Sequence, residues 1–286
     1  MRAVSARPTQ RWAMCWLWLL WIVIGWPAQA IAAPKAELWP LWEAHNAAST
    51  KGIDHSAWAQ FLDTYLRSDD EPHRLRYADV SPEDRSKLQQ YLAGLQALPI
   101  ASYNRAEQMA YWINLYNAAT VDLVLEHWPV PSITKIRPHF LAFGPWNMPL
   151  LQVADQSLSL NDIEHRILRP IWADPRIHYA LNCASIGCPS LARAPYQARM
   201  LEAQLDAAAR RFVNSTRGVR LRDDGLVVSS IYHWFAEDFG GDDAAVIAHL
   251  RSYAQPALAD ALADIDNIDS HSYDWAINAA DPASKP

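Results

Sequence analysis

The stretch Asp174-Pro-Arg-Ile-His-Tyr-Ala-Leu-Asn-Cys-Ala-Ser-Ile-Gly-Cys-Pro-Ser190 gathers two cysteines, a histidine, an asparagine and two serines about two proline breaks, Pro175 and Pro189. Its first half, Arg176 to Leu181, is mostly apolar and β-prone, which predicts a buried strand. Its second half, Cys183 to Pro189, contains Gly187 and Pro189 and must turn. A strand running into a tight polar turn presents side chains and backbone N–H groups at a site. Strand alternation would send His178, Ala180 and Asn182 to one face and Tyr179, Leu181 and Cys183 to the other. His178 then reaches Cys183 only if the strand ends or bulges first. His165, arriving from the preceding helix, meets no such obstacle.

Outward from this stretch, helical patterns dominate. Glu37 to Leu66 reads as two helices broken near Gly52-Ile-Asp54, and Ser81-Pro-Glu-Asp84 is a helix start with proline at the first helical position. The longest helix is expected over Asn104 to His127 and is apolar nearly all round, as a buried helix is. Glu107, Ala110, Asn114, Asn117 and Val121 share one of its faces. Buried asparagines need partners, because an unpaired amide costs roughly 1–3 kcal/mol. Asn114 and Asn117 therefore either tie down neighbouring loops or, with Glu107, line the site. Ser159 with Asp162 opens a further helix, and Ser190 to Val213 reads as an amphipathic one. Leu150–Val153 with Ser157–Ser159, and Val219–Arg222 with Leu226–Val228 across Asp223-Asp-Gly225, read as hairpins. Three helices follow over Ile231–Phe239, Asp242–Ser252 and Ala254–Ala263. The expected class is α+β, a predominantly helical single domain with a small antiparallel sheet. A helical segment (34–100) would pack on a main domain (101–280), followed by a disordered tail (281–286).

The beginning of the chain reads differently. Arg2, Arg7 and Arg11 precede an apolar run from Trp12 to Trp26, and Ala28-Gln-Ala30 and Ala30-Ile-Ala32 offer small-residue cleavage positions. That is the pattern of a signal peptide over residues 1–33. The run is short for a membrane span, which needs about 20 apolar residues. The expectation is a periplasmic or secreted protein with no stable span after cleavage, and an uncleaved anchor is the alternative. Losing this segment removes three arginines and no acids, so the net charge moves from −6 to −9. Such an acidic chain argues against nucleic acid as a partner.

Cys183 and Cys188 then remain. In an exported protein they suit a disulfide, which would hold a loop against a ligand groove; they equally suit a reactive thiol with its resolving partner. If Cys183 is a nucleophile, it needs a base or a local positive potential. His178 or His165 is the candidate base, Glu164 or an asparagine the orienting group, and a turn starting at Ala184 the source of N–H donors. A zinc site built from the two cysteines with His165 and His178 has the wrong spacing for the common patterns. No phosphate-binding glycine motif appears among nine glycines, so no nucleotide cofactor is expected.

Several blocks occur together: Tyr111-Trp-Ile-Asn-Leu-Tyr-Asn-Ala118, Ser159-Leu-Asn-Asp-Ile-Glu-His165 with Leu168-Arg169, Arg176-Ile-His-Tyr-Ala-Leu-Asn-Cys-Ala-Ser185 with Gly187-Cys-Pro189, Trp234 with Asp238-Phe239, and Tyr273-Asp-Trp275 with Asn278. In this order they resemble the domain-of-unknown-function family numbered 547, over roughly residues 100 to 280. The resemblance implies no activity. It nominates Asn114, Asn117, Glu164, His165, His178, Asn182, Cys183, Ser185 and Cys188 as family-typical positions. The candidate catalytic residues are thus Cys183, His178, His165, Asn182 and Ser185. The candidate binding residues are Asn114, Asn117, Glu107 and Glu164, the partner being a small-molecule or peptide ligand. Whether the protein is an enzyme stays open at this point.

Overall fold

Helix α1 (Ser56–Tyr65) packs with α2 (Pro82–Gln96), and α2 packs in turn on α3 (Arg105–Glu126). The computed structural model describes residues 34–223 and 225–280; the N-terminal apolar run and the tail 281–286 lie outside them. Ser81 and Asn104 cap α2 and α3 by accepting the Asp84 and Glu107 N–H groups, which satisfies donors that the first helical turn leaves free. As expected from its composition, α3 is buried along most of its length. Between α1 and α2 the chain makes a two-residue pair, β1 (Leu66–Arg67) with β2 (Arg74–Leu75), that the charged sequence there did not suggest.

The first hairpin forms as β3 (Leu151–Val153) and β4 (Gln156–Leu158), turning through Ala154 and Asp155, both at positive φ. Ser159 and Asp162 then exchange hydrogen bonds, Ser159 N–H to the carboxylate at 2.9 Å and Asp162 N–H to Ser159 Oγ at 3.1 Å. The following turns are wound as a π-helix, Asp162–Leu168, running into α4 (Arg169–Trp172).

The predicted strand over Arg176–Leu181 is instead a short helix, α5 (Ile177–Ala180). Asp174 takes the Arg176 N–H at 2.9 Å on its carboxylate, and its carbonyl accepts from Ile177. The turn that Asp174 closes leads directly into the helix, and it outweighs the β propensity of Ile177 and Tyr179. The expected amphipathic helix also begins later than its pattern suggested, as α6 (Leu201–Val213), because residues 191–197 run irregularly.

The second hairpin is β5 (Val219–Arg222) with β6 (Gly225–Ser229). It is followed by α7 (Ser230–Trp234), α8 (Asp243–Tyr253), α9 (Pro256–Ala261) and a third strand, β7 (Ser270–Ser272), which pairs parallel to β6. This sheet is consequently mixed and not purely antiparallel. About 48% of the described residues are helical, and the architecture is α+β and mostly helical.

Apolar side chains form two buried clusters. One spans Trp42 to Leu205 around α3; the other gathers Tyr179, Phe212, Tyr232, Phe239, Val246 and Leu250 around α6 and α8. The chain from α5 to Ser190 runs where these clusters meet, since Ala180 and Leu181 belong to the first and Tyr179 to the second.

Candidate functional site

Asn117 on α3 holds the end of α5 by donating to the Ala180 carbonyl at 2.9 Å and accepting the Asn182 N–H at 2.8 Å. The Asn182 side chain in turn accepts the Ala184 N–H at 3.0 Å and the Asn278 side chain at 3.3 Å, and donates to the Pro189 carbonyl at 2.8 Å. Ala184 takes a left-handed backbone, φ 57°. This side-chain-to-backbone turn substitutes for secondary structure. The C-terminal segment closes over the loop: Ile186 and Gly187 donate to the Ala276 and Asp274 carbonyls, each at 2.8 Å, and Asn278 N–H donates to Ala184 at 3.0 Å. Gly187 is required there, because a Cβ would stand 2.7 Å from the Asp274 nitrogen. Below, the Arg217 guanidinium donates to the Ile186 carbonyl at 3.0 Å and to the Cys188 carbonyl.

This framework presents one sulfur. Cys183 is partly exposed and Cys188 is buried. The Cys183 Sγ lies 3.2 Å from Ser185 Oγ and 3.0 Å from Tyr273 Oη, and those two hydroxyls are themselves 2.9 Å apart. The Cys183 N–H points back at Cys188 Sγ, 3.0 Å away. The expected Cys183–Cys188 disulfide is not formed: both residues are free thiols, approaching to about 3.1 Å. Hydrogen bonds from Cys188, Ser185 and Tyr273 outweigh the cost of burying charge and hold the Cys183 thiol below its ordinary value. Burial first, and the neighbouring Cys183 sulfur second, push Cys188 up. The same two causes raise Tyr273, which stays a hydroxyl donor.

Neither candidate base hydrogen-bonds this sulfur among the described residues. His178 and His165 belong to a separate buried network. His178 Nε2 is 2.6 Å from Asp238 and its Nδ1 is 3.6 Å from Glu164. Arg169 forks onto Asp238 at 2.5 and 3.0 Å, and its other nitrogen donates to His165 Nδ1 at 3.1 Å. Burial alone would lower His178, but its bonds to Asp238 and Glu164 prevail and raise it. Burial lowers His165, and Arg169 adds to that. Glu164 sits at about 2, because His165, His178 and Arg169 overcome the burial that would raise it. Tyr116 completes the network with a hydrogen bond to Glu164 at 3.3 Å.

The remaining candidates separate. Asn114 pairs with the Tyr196 backbone at 2.8 and 2.9 Å and so ties down a loop. Glu107 accepts the Ile53 N–H at 2.6 Å in another part of the molecule. Among the described residues, no three histidine, cysteine, aspartate or glutamate side chains converge as a metal site would require. The residues missing from the sequence-based site are Tyr273, Asn278, Arg169, Asp238 and Arg217. All but Arg217 lie in blocks that carried the family resemblance, which was the available signal; Arg217 had none.

No curated protein and no solved structure matches the chain. A family model does match, over residues 100–213. It takes in α3, the π-helix, α5 and the cysteine loop, and leaves the blocks from Trp234 onward outside. Over that segment, less than half of its length, the chain is similar to the family described as "Protein of unknown function, DUF547".

Proposed function

We propose that the protein is an exported thiol protein that exchanges disulfides, with Cys183 as the attacking thiol and Cys188 as the resolving one. One observation carries this reading: the thiol of the partly exposed residue Cys183, with a depressed pKa, stands about 3.1 Å from a buried thiol whose pKa is raised. Attack needs the thiolate. Resolution suits a second thiol that is shielded until a mixed disulfide forms. In the first step the Cys183 thiolate forms a bond to one sulfur of a substrate disulfide, whose S–S bond breaks, and the departing thiolate takes a proton. Cys188 then releases its proton, attacks Cys183 Sγ and expels the second substrate thiol. The dithiol loses two electrons and the substrate gains them; two external thiols, themselves oxidised to a disulfide, restore the resting pair. Export rests on the basic start and the apolar run Trp12–Trp26.

A thiol hydrolase with a histidine base is less well supported, since His165 and His178 are engaged with Arg169, Asp238 and Glu164. The test is to react the reduced protein with a model aromatic disulfide. Wild type should release two thiols per protein and finish with a Cys183–Cys188 bond, readable as a two-dalton mass loss. Cys188→Ser should release one thiol and retain a mixed disulfide on Cys183. If Cys188→Ser releases thiol as completely as wild type and keeps no adduct, the resolving role is refuted.

A further inference from the structure

A groove of about 550 Å³ lies between the Thr50–Ser56 loop, the start of α3 and the segment Pro195–Arg199. None of Cys183, Ser185 and Tyr273 lines it, and that volume is in the range of small-ligand sites. Its polar groups are only partly used. Glu107, 9% exposed, spends Oε1 on the Ile53 N–H at 2.6 Å. Its other oxygen has no partner among the described residues and is not among the atoms sealed from solvent. His55 is 6% exposed, with Nδ1 2.7 Å from the Tyr91 hydroxyl. That hydroxyl has no other acceptor among the described residues, so it donates to Nδ1 and leaves the imidazole proton on Nε2. Nε2 has no partner among the described residues and is sealed from solvent, so it does not open into the groove. Burial holds His55 down at about 4, so it is neutral at physiological pH and adds no charge beside the groove.

The rim adds two exposed cations, Lys51 from one wall and Arg199 from the other, and neither forms an ion pair among the described residues. Arg199 uses only Nε, on Gln197 at 3.0 Å. Asp54, the other acid of the rim, is occupied by the Ser56 N–H and hydroxyl at 2.8 and 3.0 Å. The groove therefore combines one half-used, largely buried carboxylate and two unpaired cations. A simple anion would meet Glu107, and a simple cation would meet Lys51 and Arg199. A molecule carrying both charges satisfies each.

We infer that this groove binds a small zwitterion, a free amino acid or a short peptide with both termini free. Its ammonium is received by Glu107, and its carboxylate by Lys51 and Arg199. This site is independent of the thiol chemistry.

The experiment is calorimetric titration of the full-length protein at low salt with alanine, dialanine and trialanine, beside N-acetyl-dialanine and dialanine amide. At least one free zwitterion should saturate below about 10 mM, and each blocked form of the peptide should bind about tenfold or more weakly, the loss of one charged contact. Which of alanine and the peptides binds best separates an amino-acid site from a peptide site. Glu107→Gln keeps an oxygen for the Ile53 N–H, so the fold persists, and it should weaken binding about tenfold. The surface pair Lys51→Ala with Arg199→Ala should weaken it comparably, with an unchanged melting temperature. Equal binding of free and blocked peptides overturns the inference, and so does saturation by none of the free zwitterions.

Discussion

Tyr273 shows how one hydroxyl can set the character of a site. Its oxygen is 3.0 Å from Cys183 Sγ and 2.9 Å from Ser185 Oγ, while its ring packs on Trp234 and Trp275. Tyr273→Phe keeps the ring and deletes only the donor. The thiolate loses one of its stabilising hydrogen bonds, and the Cys183 pKa rises toward the ordinary thiol value. The iodoacetamide rate at pH 7 should fall roughly three- to tenfold, with the midpoint of its pH profile moved upward. An unchanged profile would mean that the hydroxyl does not bond the sulfur. Asn182 is a structural counterpart. Asn182→Ala leaves the Ala184 N–H, the Pro189 carbonyl and the Asn278 amide without their partner. Orphaning buried polar groups should cost about 3 kcal/mol in urea unfolding. The sequence marked this residue as catalytic, but what it does here is shape the loop.

At the level of elements, the least legible parts were the shortest and the most irregular. Four residues of α5 cannot display a helical period, so the β-prone Ile177 and Tyr179 dominated the reading, although Asp174-Pro175 carried a helix-start signature. By contrast α3, at 22 residues, was legible almost to its ends. The π-helical turns Asp162–Leu168 follow no 3.6-residue pattern, yet they place Glu164 and His165 in one buried network with His178, Arg169 and Asp238. That network should govern stability at low pH. The Glu164 carboxylate titrates near 4.5 when unfolded and at about 2 when folded. Its contribution is therefore present above about 4.5 and is lost as the pH falls through about 2, a loss on the order of 3 kcal/mol. Glu164→Gln cannot titrate, so its stability should vary less across that window than the wild type's. The same substitution removes an anion beside His178, whose raised pKa makes its contribution full below about 6.5 and lost as the pH climbs through the folded value. The alkaline decline should accordingly begin at lower pH in the variant. Chemical denaturation from pH 2 to 9 would display both shifts, and parallel curves for the two proteins would dismiss the network as a source of pH dependence.

The whole molecule explains why the site could be located in the sequence but not assembled from it. Cys183, Ser185 and Cys188 are close along the chain and were found together. Their partners are not: Tyr77 donates to Asn278 at 2.8 Å, Asn278 to Asn182, Tyr273 reaches Cys183, and Asp238 reaches His178. Sequence periodicity carries no signal for contacts separated by tens of residues, and only the family resemblance connected the tail to the loop. The matched segment 100–213 thus holds both thiols while much of their support lies outside it. Within it, Arg169 and His178 would lose Asp238, the cysteine loop would lose the carbonyls of Asp274 and Ala276, and α3 would lose its packing on α2. Removing one partner of a buried charged pair costs roughly 3–5 kcal/mol, a large part of the typical 5–15 kcal/mol stability of a domain. A polypeptide of residues 100–213 should therefore show no cooperative thermal transition by circular dichroism, and its Cys183 should alkylate with the pH profile of an unstructured thiol. Residues 34–280 should melt cooperatively and keep the depressed midpoint. If the short fragment melts cooperatively with a low-pKa thiol, the supports named here are dispensable, and the site is carried by the family segment alone.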